Sequence, residues 1–105
     1  MRLYFNGVLA GAVPKAPSFA DFPATSQAWI GGCAEGYGFT GGIDEVRVWA
    51  TARTREEIRT NMFQRLSGAE EGLAALWNFD DPEKPGRDAT PNGFDGEMMQ
   101  NASAQ

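Results

Sequence analysis

The fold of this chain is decided by the stretch Phe39-Thr-Gly-Gly-Ile-Asp-Glu-Val-Arg-Val-Trp49. Its glycine pair lets the backbone turn, and Ile43 to Trp49 is short, rich in β-branched residues and typical of a half-buried strand. Because successive strand side chains point to opposite faces, Glu45 and Arg47 share a face and can cover each other's charge. Asp44 and Glu45 point to opposite faces and cannot flank one bond, so we interpret this acidic doublet as structural and not catalytic.

A helix is predicted directly after this strand. Thr54 followed three residues later by Glu57 forms a capping-box pattern, which marks a helix start. The helix is predicted to run from Arg55 to Leu66, and Gly68 is placed to end it. Three apolar residues follow at a spacing of four and form a stripe along one face of the helix: Ile58, Met62 and Leu66. Phe63 widens this stripe.

Five further segments are predicted to be extended. Asn6-Gly7 supplies the two positive-φ positions of a type I′ turn, so the residues around it form a β-hairpin. The predicted segments are Arg2 to Phe5 with Val8 to Val13, then Gln27 to Ile30, Gly72 to Asp80, and Glu97 to Gln100. In Gly72 to Asp80 the residues Leu73, Ala75, Trp77 and Phe79 form one face, which indicates burial on at least that side.

Composition limits the function classes. The chain has 105 residues, 42% of them hydrophobic and 22% charged, which is typical of one soluble globular domain or part of one. The net charge of −5 disfavours nucleic acid and anionic membranes as partners, since both need a basic face. The absence of histidine excludes Ser-His and Cys-His nucleophiles and imidazole zinc sites. Cys33 is the only cysteine, so no intrachain disulfide exists, and we expect it to be a small buried apolar group.

The glycine-rich loop ahead of the central strand carries three side chains with useful chemistry, namely Glu35, Tyr37 and Phe39. A phosphate-binding loop would be followed by a helix and carry a lysine at P-loop spacing, and this loop has neither. One carboxylate and two aromatics suit a cation or a sugar ring instead.

Several motifs, in this order, resemble the laminin G-like and pentraxin-like jelly rolls of the concanavalin A-like lectin/glucanase superfamily. The resemblance spans about residues 2 to 96. The motifs are Leu3-Tyr-Phe-Asn-Gly-Val8, Trp29-Ile-Gly-Gly32, the Phe39 to Trp49 stretch, Thr54-Arg-Glu-Glu-Ile58 and Leu76-Trp-Asn-Phe-Asp80.

The resemblance implies an all-β fold, an antiparallel jelly-roll β-sandwich with one short α-helix packed on its flank. The chain begins where the second half of the family pattern would begin. Residues 1–105 are therefore either a single domain or the C-terminal part of one, and residues 76–96 resemble the start of a following repeat. An incomplete sandwich exposes strand edges and an apolar sheet face, which predicts self-association.

The resemblance also implies candidate ligand sites. In pentraxin-like members a calcium site lies in the loop that matches Cys33 to Thr40, where Glu35 is the only carboxylate. A second candidate metal site is the turn with Asp88, Asn92 and Asp95, whose alternative interpretation is Asx-turn chemistry with no metal. For a sugar, the candidate ligand-binding residues are Tyr37, Phe39 and Asn92.

Together these features predict a non-catalytic recognition or adhesion module for glycans or other extracellular polymers. The expected setting is a longer secreted or surface protein, although Met1 runs into Leu3-Tyr-Phe5 without a signal-peptide pattern. No apolar run is long enough to insert into a membrane. The alternative is a structural spacer or truncated fragment with no independent activity. A glucanase-type hydrolase is disfavoured, because no predicted strand carries Glu-x-Asp or Glu-x-Glu.

Overall fold

The computed structural model describes residues 1–14, 21–33, 36–99 and 102–103, and the chain divides into two compact units, Met1–Gly42 and Ile43–Gln105. The described elements are β1 (Arg2–Phe5), β2 (Val8–Ala12), β3 (Val46–Trp49), α1 (Arg55–Asn61) and β4 (Leu73–Trp77). They form two antiparallel two-stranded sheets, β1-β2 and β3-β4, with one short helix. The all-β fold class, consistent with an incomplete jelly roll, is confirmed. In the described parts no helix is long and apolar enough to cross a lipid bilayer.

The first unit begins with the predicted hairpin. Asn6 and Gly7 have φ angles of 50° and 73°, so the type I′ turn is confirmed. Leu3 pairs with Gly11 while Tyr4 pairs with Leu9, which places a bulge in β2. The apolar face that carries Leu3, Phe5 and Val8 is exposed, and Phe5 is 72% exposed.

The second unit contains the small hydrophobic core. β3 and β4 pair antiparallel with Val46 opposite Trp77 and Arg47 opposite Leu76. Leu73 and Ala75, on the face predicted to be inside, are buried. Leu76 points to the opposite face and is fully buried as well, so β4 is covered on both faces.

Helix α1 begins as predicted and ends early. The Thr54 hydroxyl accepts from the Glu57 N–H at 3.2 Å, and the Glu57 carboxylate accepts from the Thr54 N–H at 2.8 Å. The predicted end at residue 66 is wrong, because the helix stops at Asn61. Arg47 of β3 donates to the Asn61 carbonyl at 2.7 Å and to the Gln64 carbonyl, and thereby binds main-chain oxygens at the helix end.

The early helix end changes the environment of the residues after it. Phe63 is 89% exposed, so the prediction that it widens the apolar stripe is wrong. Gly68 lies in a later turn with φ of 98° and does not end the helix. The same Arg47 contacts hold the helix terminus beside β3, which agrees with a helix on the flank of the sheet.

Both strands of the second unit are shorter than predicted, and the cause is local backbone geometry. Glu45 has φ of 52° and Phe79 has φ of 53°, in the left-handed region that is incompatible with a regular ladder. β3 therefore begins at Val46 and not at Ile43, and β4 ends at Trp77 and not at Asp80.

Two predicted strands do not form in the described residues. Residues 27–30 are irregular, and the nearby backbone makes only an isolated bridge between Gly32 and Gly38. Residues 97–99 are also irregular, and Gln100 lies outside the described residues. Cys33, expected to be buried, is a half-buried free thiol beside the bridge.

Candidate functional site

A polar turn closes against the free edge of β4. The Gly96 N–H donates to the Gly86 carbonyl at 2.6 Å and so closes the loop on itself. The Ala89 N–H donates to the Leu76 carbonyl at 2.8 Å, and the Leu76 N–H donates to the Asp88 carboxylate at 3.0 Å. Since these Leu76 groups face away from β3, the turn occupies the position that another strand would take.

Asp88 is the centre of this turn. Asp88 is only 3% exposed, and its carboxylate accepts four hydrogen bonds. Oδ1 accepts from the N–H groups of Leu76 and Thr90 at 3.0 and 2.9 Å. Oδ2 accepts from the Thr90 hydroxyl and the Phe94 N–H at 2.9 and 3.0 Å. Burial raises the pKa of Asp88, but these hydrogen bonds lower it by more, so its pKa lies below the ordinary 3.8.

The other predicted metal residues of the turn lie close by. Asp95 accepts from the Asp88 N–H at 2.9 Å, and the Asn92 amide donates to the Ala74 carbonyl at 2.8 Å. The contact typical of an Asx turn is made by Asp88, whose Oδ1 accepts from the Thr90 N–H two residues on, as in the alternative interpretation of this sequence. Calcium needs six to eight oxygen ligands, whereas the Asp88 oxygens here already accept from protein donors. In this arrangement the oxygen atoms of the turn do not form a set of ligands that fits calcium. The calcium prediction stays a prediction.

The metal prediction also includes a residue in the first unit. Glu35 lies outside the described residues. Among the residues that the structure describes, no group of three or more His, Cys, Asp or Glu side chains is arranged to hold a metal ion.

The loop that holds Tyr37 and Phe39 exposes two aromatic rings in the first unit. The Cys33 N–H donates to the Tyr37 carbonyl at 3.0 Å, and the Phe39 N–H donates to the Gly31 carbonyl at 2.7 Å. Tyr37 and Phe39 flank the bridging Gly38 and are 75% and 63% exposed. Asn92, the third predicted ligand residue, belongs to the second unit.

A polar cavity in the second unit was not predicted from the sequence. It has a volume of about 310 Å³ and is lined by Ser67, Asn78, Asp80, Asp81, Arg87 and Ala89. Its charged groups are already paired, since Arg87 lies 3.6 Å from Asp81 and Arg65 lies 3.2 Å from Asp80. Its lining residues are separated in the sequence, and no local pattern connects them.

Trp49, the aromatic that ends β3, does not present a free ring face on both sides. The Arg53 guanidinium lies 4.0 Å from the centre of its ring, and the Arg53 Nε lies 3.5 Å from the Glu57 carboxylate. A cation–π contact of this kind holds the helix start against the end of the strand. We therefore assign Trp49 a structural role.

Short antiparallel sheets, a capped helix beside one of them and exposed aromatics on a glycine-rich loop define a small β-type module. A laminin G family model, described as concanavalin A-like lectin/glucanases superfamily, matches residues 1–59, which is more than half of the chain. The chain belongs to this superfamily, and the resemblance seen in its motifs is confirmed. At this level it is a carbohydrate- or protein-binding module, of a type that is commonly non-catalytic in a superfamily that also contains glycosidases. Comparison with curated proteins and with solved structures found no match.

Proposed function

We propose that this chain is a non-catalytic recognition module that binds glycans through the loop carrying Tyr37 and Phe39. The observation that carries the proposal is the exposure of these two rings, 75% and 63%, on a loop inside the matched residues 1–59. Exposed aromatics in a glycine-rich loop have no core to fill, and they are the side chains that contribute most to a recognition surface.

The charge of the chain supports an uncharged ligand. With a net charge of −5, the protein repels polyanions at long range. The binding of a neutral polymer is little affected by this charge. Aromatic rings can pack on the apolar face of a sugar and leave its hydroxyls for water or polar side chains. Glycans or other neutral extracellular polymers therefore fit the loop better than nucleic acids do. The setting we propose is a longer secreted or surface protein.

A hydrolytic role is not part of the proposal. Retaining glycosidases place two carboxyl groups about 5–5.5 Å apart across an open cleft. The carboxylates described above serve other contacts: Glu45 pairs with Arg47 at 2.8 Å, and Asp88 accepts from buried donors. We expect a panel of soluble β-glucans to remain intact after long incubation with the protein. Release of reducing ends would contradict the non-catalytic assignment.

The test is a glycan array probed with the parent chain, with and without calcium, followed by titration of any hit. We expect Tyr37→Ala and Phe39→Ala each to weaken binding about tenfold, the order of magnitude for losing one aromatic contact. Phe94→Ala is the matched control, because Phe94 is 60% exposed but lies in the other unit. Equal binding by all variants, or no hit with the parent, would refute the proposal.

A second candidate function is structural, and the open hairpin face favours it. Leu3, Phe5 and Val8 leave an apolar sheet face in solvent, which a second copy of the chain could cover. We expect the parent chain to self-associate in sedimentation velocity, and Phe5→Thr to reduce that association while keeping strand propensity. Phe63→Thr is the control, since Phe63 is exposed but lies outside the sheets. A monomeric parent would remove this candidate.

A further inference from the structure

We propose that Gly41 is a positioning residue, because its missing side chain leaves the space that the ring of Phe39 takes; this rests on the proposed function of the Phe39 loop. The space in which a side chain at position 41 would lie is occupied by the ring. An ideal Cβ on Gly41 would lie 2.9 Å from both Cε1 and Cζ of Phe39 and 3.9 Å from its Cδ1. The first two separations are shorter than real Cβ contacts, so only glycine leaves this ring position open.

Only one edge of the ring faces the space beside Gly41, and most of the ring is free. The three closest ring atoms are consecutive along one side, and Phe39 is still 63% exposed. The main chain beneath the ring is also held, because the Phe39 N–H donates to the Gly31 carbonyl at 2.7 Å. A ring that can take its bound orientation without displacing a neighbouring side chain pays less to be ordered when a ligand docks.

The effect of a substitution at Gly41 follows from this geometry. Gly41 has φ of 146°, so Gly41→Ala strains the backbone and displaces the ring at the same time. Two nearby glycines separate these effects. Gly36 has φ of 83° with nothing within 4 Å of an added Cβ, so Gly36→Ala tests backbone strain without the ring. Gly42 has open space and no left-handed φ, so Gly42→Ala tests the added methyl alone.

The first measurement is NMR on the full chain and needs no ligand. We expect nuclear Overhauser effects between the Gly41 α-protons and the Phe39 ring, and a ring-current shift of those protons that disappears in Phe39→Ala. In Gly41→Ala the ring resonances should move, while in Gly36→Ala and Gly42→Ala they should stay. Absence of the contact in the parent, or the same ring shift in Gly36→Ala, would overturn the proposal.

The second measurement is binding, with laminarihexaose and cellohexaose as neutral glucan probes and the strongest array hit as a third. Gly41→Ala should bind about two- to tenfold more weakly, the range for ordering one additional side chain on binding. In Phe39→Ala the further change Gly41→Ala should weaken binding no more than Gly36→Ala does in the parent, since only backbone strain remains once the ring is gone. Parent-like binding by Gly41→Ala, with loss in Phe39→Ala, would overturn the inference and leave the proposed function intact. Unchanged binding by Phe39→Ala would instead refute the proposed Phe39 platform, and the NMR contact alone would then decide the role of Gly41.

Discussion

Replacing Asp88 with asparagine should destabilise the chain strongly although the two side chains have the same shape. An asparagine amide offers one acceptor oxygen, whereas Asp88 accepts N–H donors on both oxygens, from Leu76 and Thr90 on one side and from Phe94 on the other. Either orientation of the amide therefore sets an NH₂ group against an N–H donor. An unsatisfied buried donor costs about 1–3 kcal/mol, and hydrogen bonds to a charged acceptor are about 1 kcal/mol stronger than neutral ones. We expect the free energy of unfolding to fall by about 2–4 kcal/mol.

Urea unfolding of the full chain at pH 7, followed by tryptophan fluorescence, measures this loss. The matched control is Asp44→Asn, because Asp44 is exposed and, within the described residues, accepts only from the Glu45 N–H, at 2.8 Å. An asparagine oxygen can accept that bond, so this control should change the free energy of unfolding by less than about 0.5 kcal/mol. If Asp88→Asn is as mild as Asp44→Asn, the carboxylate does not hold the turn in the way we describe.

Three further predictions concern stability. Burial raises the pKa of Asp88, but its hydrogen bonds lower the pKa by more, so the folded chain has the lower pKa. In acid the unfolded chain therefore binds more protons than the folded chain, and the free energy of unfolding should fall as the pH drops below about 4. Urea titrations at pH 6 and pH 3 test this, and Asp88→Asn should show a smaller difference between them. Thr54→Ala should lower the free energy of unfolding by about 1 kcal/mol, because it removes the helix cap. Thr60→Ala, inside the helix, should not lower it. Equal thermal unfolding midpoints for the two variants would contradict the role of the cap. Gly68→Ala should cost about 3 kcal/mol or more, because its Cβ would lie 2.2 Å from the Ala89 carbonyl oxygen at φ of 98°. Gly93→Ala, with φ of 72° and open space, should cost only about 1–2 kcal/mol, and a similar loss in both would mean that strain alone matters.

Features set by residues near each other in sequence could be predicted. The hairpin turn depends on Asn6 and Gly7 alone, and both have the expected positive φ. The capping box depends on Thr54 and Glu57, and both of its hydrogen bonds form. Such short-range chemistry acts before any tertiary contact exists, which is why a sequence pattern is enough to predict it.

Element ends depended on contacts that the sequence does not show. At the end of helix α1 the Asn61 carbonyl accepts from Arg47, fourteen positions away in the sequence, and from the Gln64 N–H in a tight turn. Leu66 and Gly68 gave a plausible longer helix by spacing and composition, but spacing carries no information about a guanidinium from a neighbouring strand. The left-handed φ of Glu45 was equally hidden, since glutamate rarely adopts it.

The candidate sites divide in the same way. The exposure of Tyr37 and Phe39 was expected from a glycine-rich loop, but the position of the Phe39 ring in the space beside Gly41 depends on the loop conformation. The polar cavity joins residues near positions 67, 80 and 87, which no local pattern connects. The prediction that residues 76–96 start a following repeat stays a prediction.

The turn that holds Asp88 has a consequence for how this chain meets other chains. Main-chain groups along the outer side of β4, at Ala74 and Leu76, are already bonded by Asp88, Ala89, Thr90 and Asn92. Because these main-chain groups are already hydrogen-bonded, another polypeptide cannot pair with them as an added strand. This edge of β4 is therefore protected from amyloid-like growth. Any added strand must dock elsewhere, and loosening the turn would open a new route to aggregation.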